Sequence, residues 1–432
     1  MKKLLIIGAG PGGYETAVEA AARGFLVTIF NAGQPGGTCL NEGCIPTKTF
    51  CAAAHAFRPG VDSADAFMAA LQERKSAVVE QLRAGVLTLL KHPNIEYVPL
   101  KAQFVAPKRL RAGEREWEGD AVMIATGSVS ASLPLPGASH CLDSTQLLAL
   151  REVPARLGII GGGVIGLEFA SVFAALGAEV TVFEYCKNIL PRFDADIAKR
   201  LRQSLSRRGI QILTGACVQK IGSDGSVAYS VGEKGETQFF SKVLMAVGRK
   251  PYTDGLNLEA AGLEAGKNGI PVDENMQTAV PGIYAIGDVT GGMMLAHTAK
   301  YQGLRALNAI CGVQDGIDFS VTPAVVFTQP ELATVGRSEE ELKAEGIPFE
   351  TRKAFYRANG KAVSEGASDG LCKLLLGGDG RILGAHILGA HAADLIHEAA
   401  ALLALGVPVS RARDLIHAHP SFSEILAQCY GI

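Results

Sequence analysis

The sequence has few of the features that mark exported, membrane-embedded or nucleic-acid-binding proteins. It contains no apolar stretch close to the roughly 20 residues that a membrane-spanning helix needs. Its N-terminal apolar run, Leu4–Ile7, is far shorter than the core of a signal peptide and ends in glycines. The formal charge of −2 and the lack of long basic runs give no reason to expect nucleic acid or a membrane as partner. We therefore expect a soluble, cytoplasmic protein.

Cysteine is too sparse for a disulfide-stabilised scaffold, with nine residues in a chain of 432. Aromatic residues are also scarce at 6%, whereas the 51 glycines suit a fold with close backbone approaches. The length allows about two to four domains. In a reducing cytosol we expect isolated cysteines to be buried free thiols. Seven belong to that group: Cys51, Cys141, Cys186, Cys217, Cys311, Cys372 and Cys429.

The other two cysteines, Cys39 and Cys44, lie close together in the stretch GGTCLNEGCIPTKTF. A zinc site would need a second pair of ligands, and the nearby Cys51 and His55 are better explained as packing residues on a continuing helix. A structural disulfide would close a very short loop and stabilise little. A redox-active pair is favoured by its position in the chain. Pro46 is a natural first helical residue. That places Cys44 at a helix N-terminus, where the dipole lowers the pKa of a thiol.

Two segments, residues 2–31 and 156–184, follow the plan strand, glycine turn, helix, strand. In the G-x-G-x-x-G motif, the first glycine permits a tight turn, the second lets backbone approach a pyrophosphate, and the third packs helix against strand. The phosphates then lie at the helix N-terminus. The repeat predicts two dinucleotide sites, one on Gly8, Gly10 and Gly13 and the other on Gly161, Gly163 and Gly166.

The residue at the end of each second strand indicates which nucleotide binds. Glu184 lies 18 positions after Gly166, where an acid can accept hydrogen bonds from both ribose hydroxyls and repel a 2′-phosphate. Tyr185 and Cys186 follow, with no arginine to neutralise such a phosphate. The second unit should therefore prefer NAD over NADP, unless Glu184 is only a solvated strand end. The equivalent position in the first unit is Asn31, which lacks the charge.

Over nearly the whole chain these motifs resemble those of the flavoprotein disulfide reductases, and most closely the dihydrolipoyl dehydrogenases within that family. GAGPGGYETA is similar to the family's first FAD-binding turn, and GGTCLNEGCIPTK to its redox-active disulfide. AIGDV with MLAHTA resembles its second FAD contact, and PAVVFTQPELATVG with IHAHPSFSE its C-terminal interface domain. ANGKA, the doubled histidine of HAH, and Glu184 favour the dihydrolipoyl branch over glutathione reductases, which typically use NADPH.

The resemblance implies an α/β fold with two Rossmann-like dinucleotide-binding domains plus a C-terminal α+β dimerisation domain. It also implies FAD and NAD as cofactors, a homodimer, and as partner a lipoyl-bearing protein of a 2-oxo acid dehydrogenase or glycine cleavage complex. Within the first domain we expect a helical stretch at about 46–91. The expected domains are 1–143 for FAD, 144–246 for NAD, 247–318 for a central segment that completes the FAD site, and 319–432 for the interface.

The resemblance also gives the two thiols unequal roles. Cys44 corresponds to the thiol nearer the flavin, which forms the charge-transfer contact, and Cys39 to the more exposed thiol that exchanges with substrate. Lys48 corresponds to a lysine near flavin N5 and should pair with Glu168 on the helix of the second unit. Either charge could otherwise be an ordinary surface residue.

The same resemblance supplies a base. His419 corresponds to the imidazole that accepts the proton of the substrate thiol, and Glu424 to the carboxylate that orients it. Because this segment belongs to the dimerisation domain, His419 should serve the cysteines of the other subunit. His417 should have a supporting or structural role.

The implied reaction is oxidation of protein-bound dihydrolipoamide to lipoamide, with electrons passing through the Cys39–Cys44 pair and FAD to NAD. The alternatives are a sibling NAD(P)H-dependent reductase of glutathione or another small disulfide, and a non-catalytic flavin-binding subunit, which would not need these residues. No metal is expected. The implied FAD contacts are Gly8, Gly10, Gly13, Asn31, Gly37, Thr38, Lys48, Ala102, Thr126, Gly127, Asp288, Met294, Leu295, Ala296 and His297. The implied NAD contacts are Gly161, Gly163, Gly166, Glu184, Val218 and Gly248. Asn31 departs from the family, which has an acid for the FAD ribose, so FAD could bind more weakly.

Overall fold

The computed structural model describes residues 1–54, 56–58 and 61–431. The N-terminal region alternates strands and helices and then returns through short strands. Its elements are β1 (Lys3–Ile7), α1 (Pro11–Ala22), β2 (Leu26–Phe30), α2 (Gly37–Asn41), α3 (Cys44–Ala54), α4 (Ala64–Leu89), β3 (Ile95–Val98), β4 (Gln103–Ala106), β5 (Arg109–Ala112), β6 (Arg115–Glu118), β7 (Ala121–Ile124) and β8 (Ser128–Ser130).

The middle of the chain repeats the opening pattern. Its elements are α5 (Ser144–Leu148), β9 (Arg156–Ile160), α6 (Val164–Ala175), β10 (Glu179–Glu184), α7 (Ala195–Arg207), β11 (Gln211–Thr214), β12 (Ala216–Ile221), β13 (Ser226–Val231), β14 (Lys234–Phe239), β15 (Lys242–Met245), β16 (Arg249–Pro251), β17 (Ile283–Ala285) and α8 (Ala296–Cys311).

The C-terminal region mixes strands and helices. Its elements are β18 (Ala324–Val326), β19 (Glu331–Gly336), α9 (Glu339–Ala344), β20 (Glu350–Phe355), α10 (Gly360–Ser364), β21 (Leu371–Leu376), β22 (Ile382–Gly389), α11 (Ala392–Ala404), α12 (Val409–Ala412) and α13 (Glu424–Tyr430). Short 3₁₀ helices lie at Ala138–His140, Leu258–Ala261, Gly287–Thr290, Phe319–Val321 and Tyr356–Ala358.

The two predicted nucleotide-binding units each form a parallel sheet. The first has the strand order β17-β7-β1-β2-β3 and the second β11-β10-β9-β15. Nearly continuous apolar strands such as β1 and β7 fit sheets that are covered on both faces. The edge strand β17 comes from the predicted central segment, so that segment completes the sheet of the first unit.

The C-terminal region forms an antiparallel sheet of order β18-β19-β22-β21-β20. Its strands share a buried core with α11 and α13, which confirms the α+β class. The segment GGDGR, residues 377–381, connects β21 to β22. Strands β8 and β16 pair as a two-stranded antiparallel ribbon.

The predicted helical stretch at about 46–91 is present but is divided into two helices. Helix α3 already begins at Cys44, and a separate helix, α4, begins after Ser63, whose hydroxyl accepts a hydrogen bond from the Ala66 N–H. The interval between them contains Pro59 and Gly60, which disfavour a helix interior; both lie outside the described residues, as does His55. Neither α4, at 26 residues, nor any other helix among the described residues combines the length and apolar character needed to cross a membrane.

A buried charge cluster joins the second unit to the C-terminal sheet. Lys373 Nζ, on β21, lies 2.8 Å from Asp194 Oδ2 and 2.6 Å from Glu339 Oε2. Lys373 and Asp194 are fully buried. Nearby, burial lowers the pKa of His386 to about 4, although Asp194 opposes the shift. Removing one partner of such a cluster leaves an uncompensated buried charge, so the cluster fixes how the two regions pack.

Candidate active site

A cleft of about 2190 Å³ collects most of the predicted site residues. It contains both glycine turns, both thiols and the N-terminal end of α8. Predicted FAD contacts that line it are Gly8, Gly10, Asn31, Gly37, Thr38, Lys48, Thr126, Gly127, Asp288, Met294, Leu295, Ala296 and His297. Predicted NAD contacts that line it are Gly161, Gly163, Glu184, Val218 and Gly248.

The glycine turns have the backbone that dinucleotide binding requires. Gly8 and Gly161 adopt φ of +106° and +112°, a region that favours glycine. A Cβ on Gly13 or Gly166 would collide with the carbonyl oxygen of Gly8 or Gly161, respectively, so these two glycines let helix pack on strand. Neither Gly13 nor Gly166 is among the described residues that line the cleft.

The starts of the two helices leave room for phosphate. Gly10 and Gly163 precede α1 and α6, and neither position provides a side-chain cap for the first N–H groups. A Cβ on Gly163 would meet no protein atom within 4 Å. These open helix N-termini fit the pyrophosphates of two dinucleotides.

The two strand-end residues make different contacts. Glu184 is buried, and its carboxylate accepts hydrogen bonds of 2.6 Å from the N–H groups of both Gly162 and Cys186. Asn31 Oδ1 accepts a 3.1 Å hydrogen bond from the Ala9 N–H, and its Nδ2 donates to Gly33 O at 2.7 Å. Each side chain therefore braces its own glycine turn beside the cleft.

The thiols of Cys39 and Cys44 hydrogen-bond to each other. This hydrogen bond and the charge of Lys48 lower the pKa of Cys44 to about 7. The same hydrogen bond, together with burial, raises the pKa of Cys39. Both thiols line the cleft: Cys44, which opens α3, is exposed, and Cys39, within α2, is half-buried. The predicted order of exposure concerns the flavin-bound dimer and stays a prediction. The start at Cys44, rather than at Pro46, confirms its position at a helix N-terminus.

The predicted pair of Lys48 and Glu168 is present. Lys48 Nζ lies 2.7 Å from Glu168 Oε2, on α6, and 4.5 Å from the ring centre of Phe327. The Phe327 N–H also donates a 2.9 Å hydrogen bond to Glu168 Oε1. Phe327 was not singled out from the sequence, although it lies in the stretch PAVVFTQPELATVG. In the structure Phe327 directly follows β18, and this placement brings its ring to Lys48.

The predicted base is assembled away from this cleft. His419 Nδ1 lies 2.9 Å from Glu424 Oε1, and the Ser421 N–H donates to Glu424 Oε2 at 2.9 Å. These contacts lower the pKa of Glu424, the backbone hydrogen bond contributing most. The His419 side chain is 79% exposed, and the described residues that line the cleft of this chain include neither His419 nor Glu424.

Family models match the two parts of the chain separately. Residues 2–303 match the pyridine nucleotide-disulphide oxidoreductases, and residues 322–429 match the dimerisation domain of the same family. The chain belongs to this family. It is therefore a flavoprotein disulfide reductase, of a family that binds FAD and a pyridine nucleotide, and its dimerisation domain supports a homodimer.

Several relatives within the family are similar over almost their whole length. The dihydrolipoyl dehydrogenase of Geobacillus stearothermophilus is 38% identical over 98% of this chain and 94% of its own. That of Bacillus subtilis (strain 168) is 37% identical over 98% and 96%. The structure of the HOCl-induced flavoprotein disulfide reductase RclA from Escherichia coli superposes with a TM-score of 0.91 at 32% identity, covering 100% of this chain and 99% of the other.

Two of the predicted FAD contacts, Ala102 and Asp288, have different positions relative to the cleft. Ala102 is buried, and the described residues that line the cleft do not include it. Asp288 accepts a hydrogen bond from the Ser128 hydroxyl and lies 4.0 Å from Arg249 Nε, at the wall of the cleft. No group of three or more His, Cys, Asp or Glu side chains in the described ranges could hold a metal ion.

The prediction that the seven cysteines outside the pair are buried free thiols is wrong for three of them. Cys186, Cys217 and Cys311 are exposed, because they lie at a strand end, on an outer strand and at the end of a helix. Cys372 and Cys429 are buried as expected, and the Cys429 thiol donates a 3.6 Å hydrogen bond to the Cys372 carbonyl oxygen. Residues 57 positions apart in the sequence gave no sign of that contact.

Proposed function

We propose that this chain is a dihydrolipoyl dehydrogenase, which oxidises a protein-bound dihydrolipoyl group with NAD as acceptor. The observation that carries the proposal is the convergence of the thiol pair, the Lys48–Glu168 pair and two dinucleotide turns on one cleft. The names of the curated relatives support the lipoyl substrate. A lipoyl-bearing protein of a 2-oxo acid dehydrogenase or glycine cleavage complex would deliver it.

The substrate dithiol would react with the Cys39–Cys44 pair in its oxidised, disulfide form. A substrate thiolate attacks Cys39 Sγ, the Cys39–Cys44 bond breaks, and Cys44 leaves as a thiolate. The second substrate thiol then attacks the substrate sulfur of the mixed disulfide, the bond to Cys39 Sγ breaks, and Cys39 leaves as a thiolate. The lipoyl disulfide is released, so two electrons and the substrate protons pass to the protein. The low pKa of Cys44, about 7, suits this leaving group.

His419 of the partner subunit would take the substrate proton. Its contact with Glu424 holds the imidazole so that Nδ1 can donate to the carboxylate and Nε2 can accept a proton. Because His419 is exposed and absent from the described lining of its own cleft, a second copy of the chain is the natural place for its action.

The cofactors would be held by residues that the cleft brings together. FAD would lie on the turn at Gly8 with Asn31, Lys48 and Asp288, and NAD on the turn at Gly161 with Glu184. When bound, FAD supplies the two-electron chemistry that reoxidises the dithiol and delivers hydride to the nicotinamide. Lys48 contributes a cation beside this region, and Glu168 and Phe327 fix its position.

We infer a preference for NAD from Glu184. Its carboxylate is already fixed by two backbone N–H groups, so it presents a negative charge at a set position beside the cleft. A ribose diol can donate to that carboxylate, whereas a 2′-phosphate would be repelled by it.

The second candidate is a sibling reductase of small disulfides, favoured by the close superposition on RclA. Steady-state rates separate the two. The test compares NAD with dihydrolipoamide against NADPH with glutathione disulfide, and then NAD against NADP with the lipoyl substrate. We expect the first pair to be at least about 100-fold faster, a difference of about 2.7 kcal/mol in transition-state stabilisation. Flavin-loaded protein that is inactive with dihydrolipoamide would refute the proposal.

The action across subunits has its own test. A Cys39→Ser variant and a His419→Ala variant are each expected to be inactive. Unfolding and refolding the two together should form hybrid dimers with one intact site and restore about a quarter of wild-type activity under random pairing. Mixtures that remain inactive, although hybrids are shown to form, would place the base and the thiols within one subunit.

A further inference from the structure

The base His419 lies in a segment that has little regular structure to hold it. Residues 413–423 between α12 and α13, all of them described, form neither helix nor strand. The side chain of Ile416 is fully exposed, and that of His419 is 79% exposed. A base that must meet a substrate thiol within hydrogen-bond reach needs a fixed position, so something else must anchor this segment.

One side chain of the segment turns inward. The side chain of His417 is only 9% exposed, and its Nε2 lies 3.1 Å and 3.3 Å from the two carboxylate oxygens of Glu398. Its Nδ1 lies 3.1 Å from Leu415 O. Both ring nitrogens thus lie within hydrogen-bond distance of acceptor oxygens. Glu398, on α11, therefore holds the chain two residues before His419.

The same carboxylate also holds the helix that comes after His419. The hydroxyl of Tyr430, a buried residue at the end of α13, donates a 2.9 Å hydrogen bond to Glu398 Oε1. The first residue of α13 is Glu424, which contacts His419 Nδ1 at 2.9 Å. Glu398 is thus an acceptor shared by the stretch before the base and by the helix that orients it.

A separate contact fixes the middle of the segment. Asn359 Nδ2 donates a 3.0 Å hydrogen bond to Ser421 O, and the Ser421 N–H donates to Glu424. This contact does not replace Glu398, because it does not reach His417. The end of α13 is also held by Arg352, which donates to Tyr430 O, and by the buried core, so Glu398 matters most as the anchor of the stretch before the base.

We propose that Glu398 is a positioning residue for His419: it clamps His417 and Tyr430 and so sets the place of the imidazole without touching the substrate. The proposal rests on the proposed function, in which His419 accepts the proton of the substrate thiol. Loss of the clamp should displace the base while the cleft and its thiols stay intact. A displacement of about 1 Å can cost roughly 100-fold in rate.

The test uses the full-length, flavin-loaded dimer with Glu398→Ala, Glu398→Gln and Tyr430→Phe. Glu345→Gln is the matched control, because Glu345 is an exposed carboxylate in the same region, paired with Arg337. Two rates are compared: dihydrolipoamide with NAD, which needs the base, and NADH with ferricyanide, which involves no substrate thiol. Glu398→Ala should lower kcat of the first reaction about 10- to 100-fold with KM nearly unchanged, and leave the second within about twofold.

The other variants grade the effect. Glu398→Gln retains an acceptor oxygen and should recover part of the rate, and Tyr430→Phe removes one hydrogen bond only and should cost less than Glu398→Ala. Since Tyr430→Phe is the milder change, it keeps the proposal testable if Glu398→Ala does not fold. An unchanged kcat for dihydrolipoamide in either variant, or an equal loss in both reactions, would overturn the proposal.

Hydrogen exchange separates this proposal from the proposed function. Amides in 413–423 should exchange faster in Glu398→Ala than in wild type or Glu345→Gln. If the wild-type protein does not oxidise dihydrolipoamide, the proposed function fails, and the kinetic comparison is made with the disulfide that it does reduce. If the wild type is active but exchange in Glu398→Ala is unaltered, the clamp is refuted and the proposed function stands.

Discussion

The two strand–turn–helix–strand units share a backbone but not the residue that ends their second strand. Gly8 and Gly161 have φ of +106° and +112°, and the helices after these turns both start without a side-chain cap. In contrast, Glu184 presents a carboxylate held by two N–H groups, whereas Asn31 presents a neutral amide. The glycine motif thus fixes the turn, and a single residue outside the motif sets the charge beside that turn.

The two units also lead into different segments of the chain. After the first unit the chain enters α2 and α3, which carry the thiol pair at the cleft. After the second it passes directly to Cys186, whose N–H is bound by Glu184. One unit therefore leads into reactive sulfur chemistry, and the other ends in a cysteine next to a fixed negative charge.

The largest expected effect comes from adding a methyl group to the last glycine of either turn. In Gly13→Ala and Gly166→Ala the new Cβ collides with a backbone carbonyl oxygen, and such overpacking costs about 1–3 kcal/mol. We expect Gly13→Ala to lose flavin, and Gly166→Ala to keep flavin but bind pyridine nucleotide about 100-fold more weakly, a loss of about 2.7 kcal/mol. Flavin absorbance after gel filtration and nucleotide titration measure the two losses.

Gly85→Ala serves as control, since a Cβ on this exposed glycine of α4 meets no atom within 4 Å. It should retain both ligands. If Gly13→Ala and Gly166→Ala each lost the same ligand, the assignment of one dinucleotide to each unit would be wrong.

The second prediction concerns the charge at Glu184. Glu184→Ala removes an ionised acceptor, and hydrogen bonds to charged groups contribute about 1.5–3 kcal/mol. We expect kcat/KM with NAD to fall about 10- to 100-fold and kcat/KM with NADP to fall less. The ratio of the two kcat/KM values, NAD over NADP, should therefore decrease. Glu179→Ala, at the exposed start of the same strand, should leave the ratio unchanged. An unaltered ratio in Glu184→Ala would remove this residue as the source of the preference.

The features that sequence predicts well here are those encoded locally. The glycine turns, the helices after them and the position of Cys44 at a helix start result from steric and dipole rules that act within a few residues. The exact start of α3 and the break before α4 were missed. The local signal for the break, Pro59 and Gly60, was nevertheless present in the sequence.

Contacts between distant segments were predicted only where the family resemblance supplied them. Lys48 and Glu168, 120 positions apart, were paired on that ground. Lys373 and Asp194, 179 positions apart, were not, although they are fully buried. A lone lysine inside an apolar strand and an aspartate before a helix give no indication of each other, because only the packed fold brings them together.

The third prediction compares the two exposed thiols, Cys44 and Cys186. The thiolate is the reactive form, so a thiol reacts faster as pH rises through its pKa. The pKa of Cys44 is lowered to about 7, whereas burial and the hydrogen bond to Glu184 raise that of Cys186. With iodoacetamide and the reduced protein, Cys44 should be alkylated about tenfold faster at pH 7 and level off by about pH 8.5. The alkylation rate of Cys186 should still be rising above pH 9.

Peptide-resolved mass spectrometry from pH 6 to 9.5 tracks both cysteines in one sample. Lys48→Met removes a charge that lowers the pKa of Cys44. In this variant the inflection of the Cys44 alkylation rate should move to higher pH, and the pH dependence of Cys186 alkylation should not change. Equal rates for the two thiols at pH 7 would contradict the difference between the units.

The smallest expected effect lies at Asn31. Asn31→Ala removes two neutral hydrogen bonds, to the Ala9 N–H and to Gly33 O, each contributing about 0.5–1.5 kcal/mol. Because the turn itself persists, we expect the Kd for flavin to rise only about three- to tenfold, measured by equilibrium release of the flavin. Asn31→Asp keeps the acceptor for Ala9 and adds the missing charge, so it should bind flavin at least as tightly as wild type. If Asn31→Ala weakened flavin binding by as large a factor as Glu184→Ala lowers kcat/KM with NAD, charge would not be what separates the two units.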